Sequence, residues 1–178
     1  SGQLFVNYNG HGSVEVWGNN LFDNTAAFSL ANGNRLPLVV AMNCLNGFFH
    51  DVYTESLASA LMLASNGGAV AVWASSGLTP PEPQIQMDQT FVKTLFFTPG
   101  ISLGDAISKA KMGIADQDVR QTFILFGDPS MRLRARSAVP TLSPIQTSGV
   151  SGSNCSGAGG GCRVPGMGSG GINSPPLR

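Results

Sequence analysis

Apolar residues in this chain gather in runs of two different periods, and the alternation between them predicts the architecture. Residues 36–43 (LPLVVAMN) carry no polar interruption until Asn43, which fits a strand buried on both faces. Residues 69–74 (AVAVWA) form a second such run. Residues 3–8 (QLFVNY) and 121–126 (QTFILF) read as two further strands, the first halted at Asn9-Gly10 and the other at Gly127-Asp128-Pro129. A fifth short strand is expected at 130–134. Residues 54–65 (TESLASALMLAS) place Leu57, Leu61 and Ala64 at helical spacing and close on Asn66-Gly67-Gly68, a C-cap pattern. Residues 82–97 and 102–115 also read as helices, the second opened by Ser102 with Asp105 three positions on, as in a capping box. Strands alternating with helices predict an α/β layer fold with a largely parallel sheet.

Composition narrows the partners. Of 178 residues 42% are hydrophobic and 11% charged, with a formal net charge of zero. That leaves no basic footprint for nucleic acid and no charge run for membrane headgroups. No apolar run approaches the roughly 18 to 20 residues that would span a bilayer. The chain begins at Ser1 inside a strand approach, without an initiator Met or a leader pattern, as expected of an excerpt from a longer precursor. From about Ala138 onward Gly, Ser and Pro dominate. The expected organisation is therefore a folded domain at 1–136 and a linker or disordered tail at 137–178. Cys155 and Cys162 lie close together in that tail, where a small disulfide loop is expected if the protein is exported, and Cys44 is left alone.

Candidate chemistry follows from where the strands end. In open α/β sheets the ligand crevice lies beyond the carboxyl ends of the strands. His11 follows the first strand and Cys44 closes the second, so both reach the same edge. If those strands are neighbours, their ends are about 5 Å apart, and both side chains can face one substrate. Gly10 and Gly12 flank His11, and a backbone without Cβ there lets a substrate carbonyl approach an N–H. The Gly12 and Cys44 N–H groups are candidate oxyanion donors, with Cys44 as nucleophile and His11 as general acid and base. The plainer alternative is a cysteine packed at a strand end and a histidine in an Asn/Gly turn.

The letters add to the spacing. NGHGS, then WG, LPLVVAMNCLNG, GGAVAVWASSG and TFILFGDPSMRLR together resemble, in that order, the gingipain family of cysteine peptidases. That family belongs with caspases, legumains, clostripain and separase. The resemblance runs from about Leu4 to Arg134 and implies a caspase-like three-layer α/β/α sandwich whose N-terminal part is missing from this chain. It also implies thiol endopeptidase activity on protein or peptide substrates, a secreted or cell-surface setting, His11 and Cys44 as the catalytic pair, and no cofactor. The alternative function is a noncatalytic binding or secretion-associated domain on a peptidase-like scaffold.

Substrate contacts are less sharply marked. Trp73 falls at the end of the third strand, on the active edge. Residues 75–88 (SSGLTPPEPQIQMD) correspond in position to a pocket wall in gingipains, which brings in Ser75, with Glu82 and Asp88 as acidic groups able to recognise a basic side chain. His50 and Asp51 follow Cys44 closely, yet no further Cys or His lies nearby to complete a zinc set, so no metal is expected and His50 is read as capping or packing beside the next helix. Asp128 before Pro129 reads as a turn former. The GISLG string at 100–104 matches a serine-hydrolase elbow, but it follows a helix and Pro99, and both histidines precede it, so it reads as a helix cap.

Overall fold

The computed structural model describes residues 2–133. In order these form β1 (Phe5–Asn9), β2 (Gly12–Ser13), β3 (Val16–Trp17), a 3-10 turn (Gly18–Asn20), α1 (Asn24–Phe28), β4 (Leu38–Met42), α2 (Leu57–Leu63), β5 (Ala71–Ser75), α3 (Pro81–Phe97), α4 (Leu103–Met112), α5 (Gln117–Thr122) and β6 (Phe123–Phe126). The main sheet has the order β1-β4-β5-β6. β1, β4 and β5 are mutually parallel, and β6 runs antiparallel to β5.

Because side chains alternate across a strand, the unbroken apolar runs of β4 and β5 divide between two faces. Leu38, Val40, Met42, Ala71 and Trp73 pack with Met87 and Phe91 of α3 and with Leu103, Ala106, Ile107 and Ala110 of α4. Val39, Ala41, Val72 and Ala74 pack with Ala27 of α1 and with Leu57, Ala58, Ala60 and Leu61 of α2. Every residue of β4 and β5 is buried, as helices on both faces require. The result is the three-layer α/β/α sandwich.

Local chemistry sets the helix ends. Ser102 Oγ accepts from Asp105 N–H at 3.1 Å and caps α4, while the Asp105 carboxylate accepts from the Ser102 hydroxyl at 2.7 Å instead of from the Ser102 backbone N–H, so the serine half of the expected box is formed. Ser56 accepts from Ser59 N–H and starts α2 at Leu57, later than 54. Gly68, at φ +97°, follows that helix in the left-handed region, and Ala69 N–H donates back to Leu61 O at 3.0 Å. Where a fifth strand was expected, residues 131–133 are not extended into any sheet. Instead Met131 O and Pro129 O accept from Leu103 and Gly104 N–H, which satisfies donors that the first turn of α4 leaves open. The tail at 137–178 and the Cys155/Cys162 pairing lie outside the described residues. No helix among those described is long and apolar enough to cross a membrane.

Candidate active site

β1 and β4 pair in parallel from Phe5 beside Leu38 to Asn9 beside Met42. Beyond that last pair each chain leaves the sheet on the same edge, and His11 and Cys44 both come two residues later. Gly10 N–H donates to Met42 O at 3.2 Å, extending the ladder by one bond before the strands part. His11 and Cys44 then line a single cavity of about 490 Å³, together with Asn9, Gly10, Met42, Thr79, Pro81, Gln84 and Ile85.

The main chain at His11 is held from two directions. Its carbonyl accepts from Tyr8 Oη at 2.8 Å and from Gly18 N–H at 2.7 Å. The Tyr8 ring lies flat on Trp17, with centroids 4.2 Å apart and planes 4° from parallel. These contacts tie the β2–β3 hairpin to β1 and leave the His11 side chain exposed. The 11/18 pair is hydrogen-bonded, so Gly12 and Trp17 form a non-hydrogen-bonded pair and their N–H groups turn outward. Trp17 N–H goes to Phe22 O at 2.8 Å.

Cys44 is a half-buried free thiol. Its Sγ donates to Thr79 O at 3.6 Å, and that carbonyl also accepts from Gln84 Nε2 at 2.9 Å. Gln84 Nε2 further donates to Thr79 Oγ1 at 2.7 Å, which leaves Gln84 Oε1 as the free atom of a residue lining the cavity. No backbone carbonyl among the described residues accepts from Cys44 N–H. Leu45, directly after the thiol, has φ +64°, a left-handed conformation that a branched side chain adopts only at a cost. It bends the chain sharply enough for Asn46 N–H to reach Cys44 O at 2.9 Å.

The other sequence candidates separate. Trp73 is 0% exposed; its ring packs 4.7 Å from Phe91 and 5.7 Å from Phe123, on the α3/α4 face of the sheet. It is a core residue, and β5 continues two residues past it, so it does not stand at the strand end. Ser75 is also 0% exposed, and its hydroxyl closes a turn with Gly77, donating to Gly77 O at 3.0 Å and accepting from Gly77 N–H at 3.1 Å. Neither has surface to offer a substrate. Glu82 is exposed in the first turn of α3, where a carboxylate complements the helix dipole, and it is not among the residues lining the cavity.

Asp88 is buried one step behind the cavity wall. Its carboxylate accepts from Asn7 Nδ2 at 3.0 and 2.9 Å and from Asn9 Nδ2 at 3.2 Å. Asn7 and Asn9 share one face of β1, and Asn9 lines the cavity. With both amide nitrogens turned to Asp88, the amide oxygens face away from it.

His50 is exposed, with its ring 4.0 Å from that of Phe48, and the residue that caps α2 is Ser56, not His50. Asp51 Oδ1 accepts from Tyr53 N–H, and no three His, Cys, Asp or Glu side chains among the described residues gather as a metal site. Asp128 caps its own turn: Ser130 N–H donates to it at 2.8 Å. Hydrogen bonding with the Ser130 side chain, and then with its backbone, lowers the Asp128 pKa from the ordinary value.

Two adjacent parallel strands that deliver a histidine and a cysteine to one edge of a helix-covered sheet define the class: a caspase-like α/β/α fold. The chain aligns at a TM-score of 0.68 and 29% identity with the crystal structure of the Arg-specific cysteine proteinase gingipain R, covering 75% of this chain and 34% of that one. It aligns at the same TM-score and 26% identity with the complex of the RgpB pro- and mature domains from Porphyromonas gingivalis, over 75% of this chain and 34% of that one. In sequence it is 31% identical to gingipain R2 of Porphyromonas gingivalis over 155 residues, 79% of this chain and 20% of the relative. The chain thus spans about a fifth of that relative's length. Residues 1–134 match peptidase family C25, and the chain belongs to that family of cysteine peptidases.

Proposed function

We propose that this chain carries the catalytic pair of a cysteine endopeptidase. The observation that carries the reading is the shared cavity: His11 and Cys44 come from separate loops yet line the same 490 Å³ space. His11 takes the Cys44 proton and the thiolate attacks the scissile carbonyl, forming the C–S bond. Collapse of the tetrahedral intermediate breaks the C–N bond, and the proton held on His11 passes to the leaving amine. Water, deprotonated by His11, then releases the second product and restores the thiol. Gly12 and Cys44 N–H stabilise the oxyanion; the outward turn of the first and the open donor of the second support that role.

The cavity also suggests what it accepts. Asp88 carries a buried carboxylate behind Asn9, and Gln84 Oε1 is a free acceptor on the wall. Acceptors backed by negative charge suit a P1 side chain rich in N–H donors, and arginine is the best match. One structural relative, gingipain R, is an Arg-specific cysteine proteinase, in agreement with this reading. A secreted or cell-surface setting belongs to the same reading and rests on the family likeness.

One observation favours the noncatalytic alternative: the hydrogen bond of the thiol goes to Thr79 O. Cleavage of a peptide library by the intact protein, read by mass spectrometry, separates the two. Cuts after Arg that vanish in Cys44→Ala support the peptidase, and an uncut library contradicts it.

A further inference from the structure

Asn43 and Asn46 flank the thiol in sequence, are 0% and 1% exposed, and have no part in the chemistry above. Their amides form a directed chain. Asn46 Nδ2 donates to the carbonyls of Ser13 at 2.5 Å and Val16 at 3.4 Å, both in the hairpin that follows His11. Carbonyls accept only, so the Asn46 nitrogen must face the hairpin and its Oδ1 must face Asn43, whose Nδ2 donates to it at 2.5 Å. Asn43 Oδ1 is left buried without a partner. An orphaned acceptor beside the site costs free energy, so gain in stability alone does not account for the arrangement.

The second contact is steric. A β-carbon on Gly12 would fall 2.7 Å from Asn43 Cγ and 3.2 Å from Asn43 Cβ, so only a glycine lets the hairpin settle this close. The start of α2 joins the same two loops: Leu57 N–H donates to Val14 O at 2.8 Å and Ala58 N–H to Asn46 O at 2.9 Å. Asn46 tethers the hairpin, and Asn43 sets how near it can come.

We infer that the Asn43–Asn46 pair is a positioning device that fixes the histidine hairpin relative to the cysteine loop, and so sets the His11–Cys44 geometry. This rests on the peptidase reading. Neither residue touches the reacting atoms. Removing the tether displaces His11 without removing it, and a displacement of 1 Å is able to cost roughly 100-fold in rate.

The test is the pH profile of Cys44 alkylation by iodoacetamide in the intact protein, with thermal unfolding recorded for each variant. Wild type and His11→Ala are expected to differ, and Asn46→Ala is expected to follow His11→Ala while still unfolding cooperatively. If wild type and His11→Ala coincide, the peptidase reading fails and the positioning role falls with it. If those two differ but Asn46→Ala follows wild type, the positioning role alone is overturned.

Should Asn46→Ala not fold, the steric half decides. Gly12→Ala is expected to slow cleavage about 100-fold, and Gly12→Ala/Asn43→Gly, which removes Asn43 Cβ with the amide, to return to the rate of Asn43→Gly alone. Penalties that multiply in the double variant would overturn the proposal.

Discussion

His11 and Cys44 stand in step: each lies two residues past the last paired position of adjacent parallel strands, Asn9 beside Met42. The sheet therefore carries the pair to one edge, and the loops need only hold them there. Tyr8 does much of this for His11, with its hydroxyl donating to His11 O and accepting from Gly18 N–H at 3.0 Å. Tyr8→Phe keeps the stack on Trp17 and removes only those bonds. We expect a stability loss of about 0.5–1.5 kcal/mol, and a fall in kcat larger than any rise in KM. Steady-state kinetics on an Arg-containing peptide check this; an effect on KM alone would count against it.

Asp88 tests the origin of specificity. Asp88→Asn preserves size but sets an amide NH2 against the Asn7 or Asn9 nitrogen, costing about 1–3 kcal/mol in the folded state. If its charge also favours a basic P1 group, kcat/KM for an Arg substrate falls about tenfold relative to a neutral substrate of similar length. Unchanged discrimination would place Asp88 in a purely structural role.

Trp73 gives a prediction of the opposite kind. A side chain wholly inside the α3/α4 core contributes packing, so Trp73→Ala is expected to cost about 3–5 kcal/mol. Trp73→Phe should lower the unfolding temperature while leaving KM within about twofold, because loss of buried volume falls on stability. A selective rise in KM for Trp73→Phe would return this residue to the substrate site.

Lys111 links stability to pH. Its Nζ donates to Phe123 O, and burial lowers its pKa from the ordinary 10.5. Between the lowered value and 10.5 the unfolded chain binds more protons than the folded one, so stability rises with pH across that window. Below it both states are protonated and the burial penalty is fully present. Lys111→Met removes the dependence. Unfolding midpoints of the two proteins, compared as pH approaches 10.5, should diverge in favour of wild type relative to their difference at neutral pH.

The parts of this structure that were legible in sequence are those with enough residues to show a period. β4 and β5 announce themselves as unbroken apolar runs, and Ser102 with Asp105 marks the start of α4. β2 and β3 have two residues each, too few for any alternation, and α1 is a helix of only five residues capped by Asp23. At the last strand the sequence misleads: residues 121 and 122 read as β, but Asp116 caps α5 and the helix runs through Thr122. Strand direction is equally silent, so the antiparallel β6 had no signature.

At the site, residue type and loop position suffice to nominate His11 and Cys44, whereas their supports depend on contacts between segments far apart in the chain. Asn43 and Asn46 look like ordinary turn residues until the hairpin carbonyls are beside them. Asp88 looks like a surface helix residue until Asn7 and Asn9 turn to meet it. Trp73 reads as a strand-end residue in the sequence, but the strand extends to Ser75 and helices cover both faces of it, so the ring is buried.

The central claim is that Cys44 is a nucleophile served by His11, and a peptidyl electrophile with Arg at P1 tests it most directly. Incubated with the intact protein and mapped by mass spectrometry, it should modify Cys44 at least about 100-fold faster than a free thiol, with His11→Ala losing that advantage. Labelling of Cys44 no faster than a free thiol, unaffected by His11→Ala, would contradict the account.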